Sequence, residues 1–190
     1  YEDILGTYLV KLSTRRISAA DSTEAARLLK IIGDFERIAD HAVNLLQSAE
    51  ELREKKMSLS KPAVKELGVL TGAVDEILGL SLDAFLKDDY SAAGMVEPLE
   101  QVIDGLKEQL RPNHILRLQK EQCSIEAGFI WSDLLTNLER VSDHCSNIAG
   151  CVMDLHEGKL NLHESLRAVK EDQEKFAERF GQYQKKYAVQ

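Results

Sequence analysis

Asp34-Phe-Glu-Arg-Ile-Ala-Asp-His-Ala-Val-Asn44 is followed 103 residues later by a second copy, Asn137-Leu-Glu-Arg-Val-Ser-Asp-His-Cys-Ser-Asn147. Five polar residues are identical in these two signature copies: Glu36/Glu139, Arg37/Arg140, Asp40/Asp143, His41/His144 and Asn44/Asn147. At the apolar positions the two copies differ in residue type and share only their apolar character. A core selects for volume and apolarity, whereas a solvated face tolerates almost any polar residue. Identical polar residues in a repeat therefore indicate a role beyond packing.

Apolar residues around both signature copies recur at alternating intervals of three and four. They occupy positions 28, 31, 35, 38, 42, 45, 49 and 52 in the first half, and 127, 130, 134, 138, 141, 145, 148, 152 and 155 in the second. This spacing predicts two helices, each buried along one stripe. We expect Phe35, Ile38, Leu45, Leu138, Val141 and Ile148 to be buried. The carboxylates of each copy fall on the opposite face, where we expect solvent access.

The composition of the chain indicates a globular protein and excludes some classes of partner. The chain has 190 residues, 44% of them hydrophobic, which is enough for a sizeable core. Its net charge of -8 argues against a nucleic-acid partner, because such binding depends on Lys and Arg contacts to phosphate. Cys123, Cys145 and Cys151 form no C-x-x-C pair and predict buried free thiols of a reducing compartment. No apolar run of about 18 residues predicts a membrane span.

Turn residues divide the chain into six predicted helices, at about 2–12, 21–56, 61–86, 96–110, 124–156 and 162–187. With the repeat, they predict an all-α fold of two three-helix bundles. We expect these bundles at residues 1–88 and 89–190, divided by a turn at 87–91. The first apolar stripe is already present at residue 1 and no initial Met precedes it, so we expect a truncated first helix in a piece of a longer protein.

Three Glu-x3-Asp pairs are candidate metal ligands: Glu36/Asp40, Glu139/Asp143 and Glu100/Asp104. Each pair places two oxygen ligands about 6 Å apart on one helical face. The alternative to metal binding is that these carboxylates only form a solvated acidic face. Repetition of the pair in both signature copies makes this alternative less favoured. His41 and His144 are either further ligands or partners of a nearby carboxylate. Arg37 and Arg140 could pair with carboxylates or with an anion.

Enzymatic motifs are missing from the sequence. It contains no Glu-x-x-His, no H-E-x-x-H, no Gly-rich phosphate loop and no nucleophile elbow. Carboxylates on the outside of a bundle would also leave a reaction open to water. We therefore expect a protein that is not an enzyme.

The doubled helix Glu36-Arg-Ile-Ala-Asp40-His41-x-x-Asn44 and its second copy resemble the signature of PhoU, a family of phosphate-uptake regulators built from two three-helix bundles. Other residues are similar to the PhoU-like cytosolic domain of bacterial sodium/phosphate cotransporters: Tyr8-Leu9-x-x-Leu12, His114-Ile115-x-Arg117-Leu118, Cys123, Phe129 and Tyr183-x3-Tyr187. This resemblance implies a non-catalytic domain on the cytoplasmic side of the membrane. It would regulate phosphate uptake by a membrane-embedded transporter segment of the same chain.

The resemblance also implies a cofactor. In the PhoU family, E(D)-x3-D pairs hold multinuclear iron or zinc clusters on the bundle surface. The pairs of the second half would form one complete site. Alignment of Tyr8-Leu9 with His114-Ile115 places the partner of Glu36 and Asp40 before Tyr1, so we expect the second half to bind metal better.

Two other functions stay open. One is a free-standing PhoU-type regulator whose partners are a transporter and a sensor kinase of phosphate signalling. The other is a metal-free helical interaction module. The sequence also leaves open whether two copies form a homodimer.

Overall fold

The computed structural model describes residues 1–157 and 173–189. These residues form α1 (Glu2–Ser13), α2 (Ala19–Glu54), α3 (Lys61–Lys87), α4 (Tyr90–Gln119), α5 (Ile125–Glu157) and α6 (Gln173–Lys186). The described parts of the chain contain no strand, so the predicted all-α class is confirmed. The predicted start of the last helix at residue 162 lies outside the described residues. None of the described helices is both long and apolar enough to cross a lipid bilayer.

Side chains at the helix starts accept hydrogen bonds from backbone N–H groups that have no helical partner. Oγ of Ser60 accepts from the N–H of Ala63 at 3.4 Å and caps α3. The predicted start of α2 at about residue 21 is two residues too late. That helix begins earlier, because Ser18 and Asp21 form a reciprocal capping box with bonds of 3.1 and 3.3 Å.

α4 begins at Tyr90, earlier than the predicted residue 96, and continues as one helix past Pro98 and Pro112. Proline has no N–H, and Pro98 therefore cannot bond the carbonyl of Gly94 one turn earlier. Nη1 of Arg179 on α6 donates to that carbonyl at 2.7 Å instead. The missing side chain of Gly94 makes this approach possible, since a Cβ there would lie 3.0 Å from the same nitrogen. α6 thus satisfies the group that the proline leaves free.

A buried ion pair connects α3 to α4. Nη1 of Arg117 lies 2.7 Å from Oε2 of Glu66, and Nδ2 of Asn113 donates to the other oxygen of Glu66 at 3.0 Å. The guanidinium of Arg117 also lies over the ring of Trp131 on α5, 5.3 Å from its centroid. These contacts fix the register of three helices, since a buried charge is tolerated only when it is paired.

α5 occupies the centre of the fold. It packs against α2, α3 and α4, while α1 packs on α2 and α6 packs on α4. One apolar core runs through α3, α4 and α5, and its fully buried members include Leu70, Ile77, Leu99, Ile103 and Leu135. This core crosses residue 88, because α3 lies against both α4 and α5. The division into bundles of residues 1–88 and 89–190 stays a prediction from the repeat.

The two copies of the apolar stripe are buried to different degrees. Leu138, Val141 and Ile148 on α5 are buried, as predicted. Phe35, Ile38 and Leu45 on α2 are only half-buried, so their predicted burial is wrong in extent. These three residues are less buried because α2 lies at the side of the fold. Phe35 contacts α3 through one ring, Phe85, at a centroid distance of 5.3 Å.

Candidate functional site

The histidine and asparagine of the second signature copy bind a residue of the first. Nδ1 of His144 donates to Oδ1 of Asp34 at 2.9 Å, and Nδ2 of Asn147 donates to the same oxygen at 3.1 Å. Asp34 is 8% exposed, so both bonds are largely shielded from water. A charge-assisted hydrogen bond in such a place is stronger than one at the surface.

The first signature copy repeats this arrangement in the opposite direction. Nδ1 of His41 donates to Oδ1 of Asn137 at 2.8 Å, and Nδ2 of Asn44 donates to the same oxygen at 3.1 Å. The rings of His41 and His144 stack between the two sets, with centroids 5.7 Å apart. The two antiparallel signature helices therefore hold each other with one set of residues used twice. We call these six residues the α2–α5 lock.

The lock accounts for two of the five repeated polar pairs, His41/His144 and Asn44/Asn147. A contact between two equivalent surfaces needs the same residue types on both sides. His144 is thereby placed as the partner of a carboxylate, one of the two alternatives that the sequence leaves open. Asp34 and its counterpart Asn137 are different residue types, so they are not among the residues that are identical in the two copies. The signal in the sequence that could have found them is that each stands first in its signature copy.

A cluster of carboxylates lies on the outer side of the contact between α4 and α5. The side-chain oxygens of Glu100, Asp104 and Asp143 lie within 4.8 Å of one another. Two of the predicted Glu-x3-Asp pairs thus face each other. Burial, followed by repulsion from neighbouring carboxylates, of which Glu139 is the strongest, raises the pKa of Asp104 and that of Asp143. A cation among these oxygens would offset the repulsion.

Glu139, the fourth predicted ligand of the second half, lies at the edge of this carboxylate cluster. Its Oε1 forms an ion pair with Nζ of Lys107 at 2.8 Å. Its Oε2 is buried and accepts no hydrogen bond from the described residues, although Nε of Arg140 lies 3.7 Å away. The predicted solvent access of Glu139 is wrong, because Lys107 on α4 covers it. Asp143 is half-buried and accepts a hydrogen bond from Nη1 of Arg140 at 2.9 Å.

The first half presents its carboxylates differently. Glu36 and Asp40 are exposed on α2, as predicted, and line a polar groove of ≈ 580 Å³. A hydrogen bond with the side chain of Glu2 on α1 is the main cause that raises the pKa of Glu36. Within residues 1–157 and 173–189, no Glu-x3-Asp pair of another helix stands beside them as Glu100 and Asp104 stand beside Asp143.

The residues of the second half fit a metal ion. Three clustered carboxylates, together with the unbonded buried Oε2 of Glu139, offer only oxygen donors, which suit a hard or borderline cation. The resemblance points to iron or zinc, and a His144 ligand would favour either of these metals. His144 directs its Nδ1 to Asp34 instead and is not among the clustered ligands.

Comparisons with known proteins identify the family of this chain. The family model described as "PhoU domain" matches residues 1–49 and 69–152. A Thermotoga maritima protein named "Phosphate-specific transport system accessory protein PhoU homolog 1" is 29% identical over 147 residues, which cover 77% of this chain and 62% of the relative. The Zymomonas mobilis PhoU homologue is 29% identical over 148 residues, covering 78% of this chain and 61% of that protein.

A solved structure gives the same fold. The crystal structure of PhoU from Pseudomonas aeruginosa superimposes with a TM-score of 0.70 at 24% identity, over 83% of this chain and 78% of that one. The matched region of this chain spans 62% and 61% of the two relatives' lengths. These relatives are named as accessory proteins of phosphate transport. The names agree with a PhoU-type accessory regulator better than with the cotransporter domain that the sequence favours.

Proposed function

Because the chain belongs to the PhoU domain family, we propose that it is a non-catalytic regulator of phosphate uptake that acts through contacts with other proteins. The match of the family model to residues 1–49 and 69–152 carries this proposal. The names of the relatives, which are accessory proteins of phosphate-specific transport, support it. The expected partners are a membrane phosphate transporter and a protein of phosphate signalling, and the expected place is the cytoplasmic side of the membrane.

The geometry of the signature residues supports a binding role rather than a catalytic one. Their histidines and asparagines form the α2–α5 lock, which leaves the imidazole Nδ1 of His144 bound to Asp34. Glu36 and Asp40 are exposed, and Glu100, Asp104 and Asp143 lie on the outer side of the α4–α5 contact, where water is not excluded from a reacting group. Such a surface suits the binding of a cation or of another protein.

Metal binding forms the second part of the proposal. Glu100, Asp104 and Asp143 would hold a cation, with Glu139 at the edge of the site beside Lys107. A bound ion would neutralise the repelling carboxylates and join α4 to α5. Glu36 and Asp40 would contribute to a second site, whose other ligands must come from residues outside the described ones.

Deletion of the coding region from the host genome tests the regulatory role. We expect a changed rate of phosphate uptake and a changed output of a phosphate-starvation reporter, both restored when the intact gene is returned. A matched variant, Leu86→Glu, alters an exposed side chain of α3 and should restore both readouts fully. Unchanged uptake and an unchanged reporter in the deletion strain would contradict the proposal.

A further inference from the structure

Large apolar side chains are exposed around two turns of the chain. One turn, residues 55–60, joins α2 to α3, and the other, residues 120–124, joins α4 to α5. Five apolar residues next to these turns are each between 51% and 70% exposed. We call them the apolar end: Val64, Ile115, Leu116, Ile125 and Phe129.

Contacts between the helices bring both turns to the same end of the molecule. α2 and α5 are antiparallel, as the α2–α5 lock shows, so the end of α2 lies beside the start of α5. Glu66 near the start of α3 binds Arg117 near the end of α4 at 2.7 Å. A Cβ on Gly128 would lie 2.5 Å from Nε2 of His114, so α4 and α5 touch where the apolar residues stand. The apolar end is therefore one surface, built from α3, α4 and α5.

The internal repeat gives no helix that would cover the apolar end. By the repeat, a segment before Tyr1 would correspond to the first part of α4 and would lie beside α2. α4 contacts neither α1 nor α2. The equivalent segment would therefore contact neither α4 nor α5, which carry four of the five apolar residues.

Unpaired lysines surround the apolar end. Residues 53–65 contain five Lys or Arg and one Glu, although the whole chain has a net charge of -8. The second turn adds one lysine and two exposed carboxylates, Glu121 and Glu126. Four exposed lysines at this end form no ion pair within the described parts of the chain: Lys56, Lys61, Lys65 and Lys120. Charge complementarity therefore favours an anionic partner.

The acidic residues of the carboxylate cluster do not cancel this local charge. Asp104 precedes Lys120 by 16 residues on α4, which is about 24 Å along the helix. The Debye length at physiological ionic strength is about 8 Å, so the charge of the cluster is largely screened at the apolar end. An anionic surface at this end would meet the lysines first.

The shape of the apolar end favours a lipid surface over a protein helix. Side chains that are more than half exposed stand out from the surface, whereas a site that receives a helix is a groove between side chains. Phe129 and Ile125 are the most exposed of the five and lie one helical turn apart on α5. Projecting apolar side chains beside lysines are typical of proteins that lie on a membrane without spanning it.

We propose that the apolar end binds the surface of an anionic lipid bilayer. Phe129 and Ile125 enter the boundary between head groups and acyl chains, and the nearby lysines bind lipid phosphate groups. This inference goes beyond the proposed function, because it assigns a lipid surface as a partner in addition to proteins. It also fixes the orientation of the domain, with the two turns toward the membrane.

Flotation of the 190-residue protein with lipid vesicles tests the proposal. One set of vesicles contains phosphatidylcholine alone, and the other contains phosphatidylcholine and phosphatidylglycerol in equal amounts. Chelator is present throughout, so that no metal ion bridges protein and lipid. We expect the anionic vesicles to bind at least about tenfold more tightly than the neutral ones. This binding should weaken as salt rises from ~0.05 to ~0.5 M.

Two matched pairs of variants locate the surface. Phe129→Ser should weaken binding to anionic vesicles at least about fivefold, because less apolar surface enters the lipid. Leu86→Ser, at a 72% exposed position near the other end of α3, should leave binding unchanged. Lys61→Gln/Lys65→Gln should weaken binding at least about tenfold. Lys11→Gln/Arg16→Gln removes as much charge from exposed positions at the other end of α2 and should have no effect.

Several results would overturn the proposal. They are equal binding to both kinds of vesicle, no binding to either, and equal effects of the two variants in either pair. A dimer in lipid-free sedimentation that Phe129→Ser dissociates would also overturn it, because a second copy would then occupy the apolar end. Since the vesicles contain no protein, the outcome is independent of whether the chain regulates phosphate uptake.

Discussion

His144 on α5 lies with its Nδ1 2.9 Å from Oδ1 of Asp34 on α2, at a site where Asp34 is almost fully buried. The contact joins the late part of one signature copy to the first residue of the other. Its counterpart, His41 with Asn137, shows that the arrangement works with an amide in place of the carboxylate. The repeated histidines and asparagines therefore hold α2 and α5 together.

Substitution of Asp34 tests this lock. Asp34→Ala removes the acceptor of His144 and Asn147 and leaves two donors without a partner, which should cost about 1–3 kcal/mol of unfolding free energy. Asp34→Asn recreates the acceptor found at Asn137 and should cost less than half of that. Urea unfolding at neutral pH measures both values. An Asp34→Asn variant as unstable as Asp34→Ala would show that the lock does not depend on the shared acceptor.

The contact of Arg179 with Gly94 predicts a coupled pair of variants. Arg179→Ala leaves the carbonyl of Gly94 without the 2.7 Å bond that replaces its helical partner, at a cost of about 1–3 kcal/mol. Pro98→Ala restores an N–H that can bond this carbonyl within α4. The loss caused by Arg179→Ala should therefore be smaller when Pro98→Ala is present. A double-mutant cycle by urea unfolding checks this, and strictly additive effects would contradict it.

The carboxylate cluster predicts a pH dependence in metal-free protein. The pKa values of Asp104 and Asp143 are raised, chiefly by burial and then by neighbouring carboxylates. The folded protein therefore binds more protons than the unfolded chain from the ordinary carboxyl range up to the raised values. Stability should fall as pH rises through that window. Asp104→Asn/Asp143→Asn should flatten the fall above pH ~4 in thermal unfolding with chelator. A fall of the same size in this double variant would assign the effect to other groups.

The helices could be predicted from the sequence because burial along one stripe leaves a three/four spacing of apolar residues. Leu138, Val141 and Ile148 lie where that spacing places them. The spacing carries no information on how many neighbours a helix has. Phe35 and Leu45 share the pattern and are only half-buried, since α2 lies at the side of the fold.

The candidate site could be predicted where its residues form Glu-x3-Asp pairs on one helical face. Glu100, Asp104 and Asp143 come together as their spacing suggests. Lys107 belongs to no motif, and its ion pair with Glu139 therefore appears only in three dimensions. The same holds for Asp34, whose role depends on the packing of α2 against α5.

The most direct test is isothermal calorimetry of manganese binding to protein stripped with chelator. Each signature copy combines two roles, because its carboxylates would bind metal whereas its histidine joins α2 to α5. Glu139→Gln/Asp143→Asn removes carboxylates of the cluster, whereas His144→Ala removes only a member of the lock. We expect the carboxylate variant to lose binding by more than about a hundredfold, since oxygen donors hold such an ion. The His144→Ala variant should bind as wild type does but unfold at lower urea. Equal and negligible binding by all three proteins, or loss of binding in His144→Ala, would contradict this separation of roles.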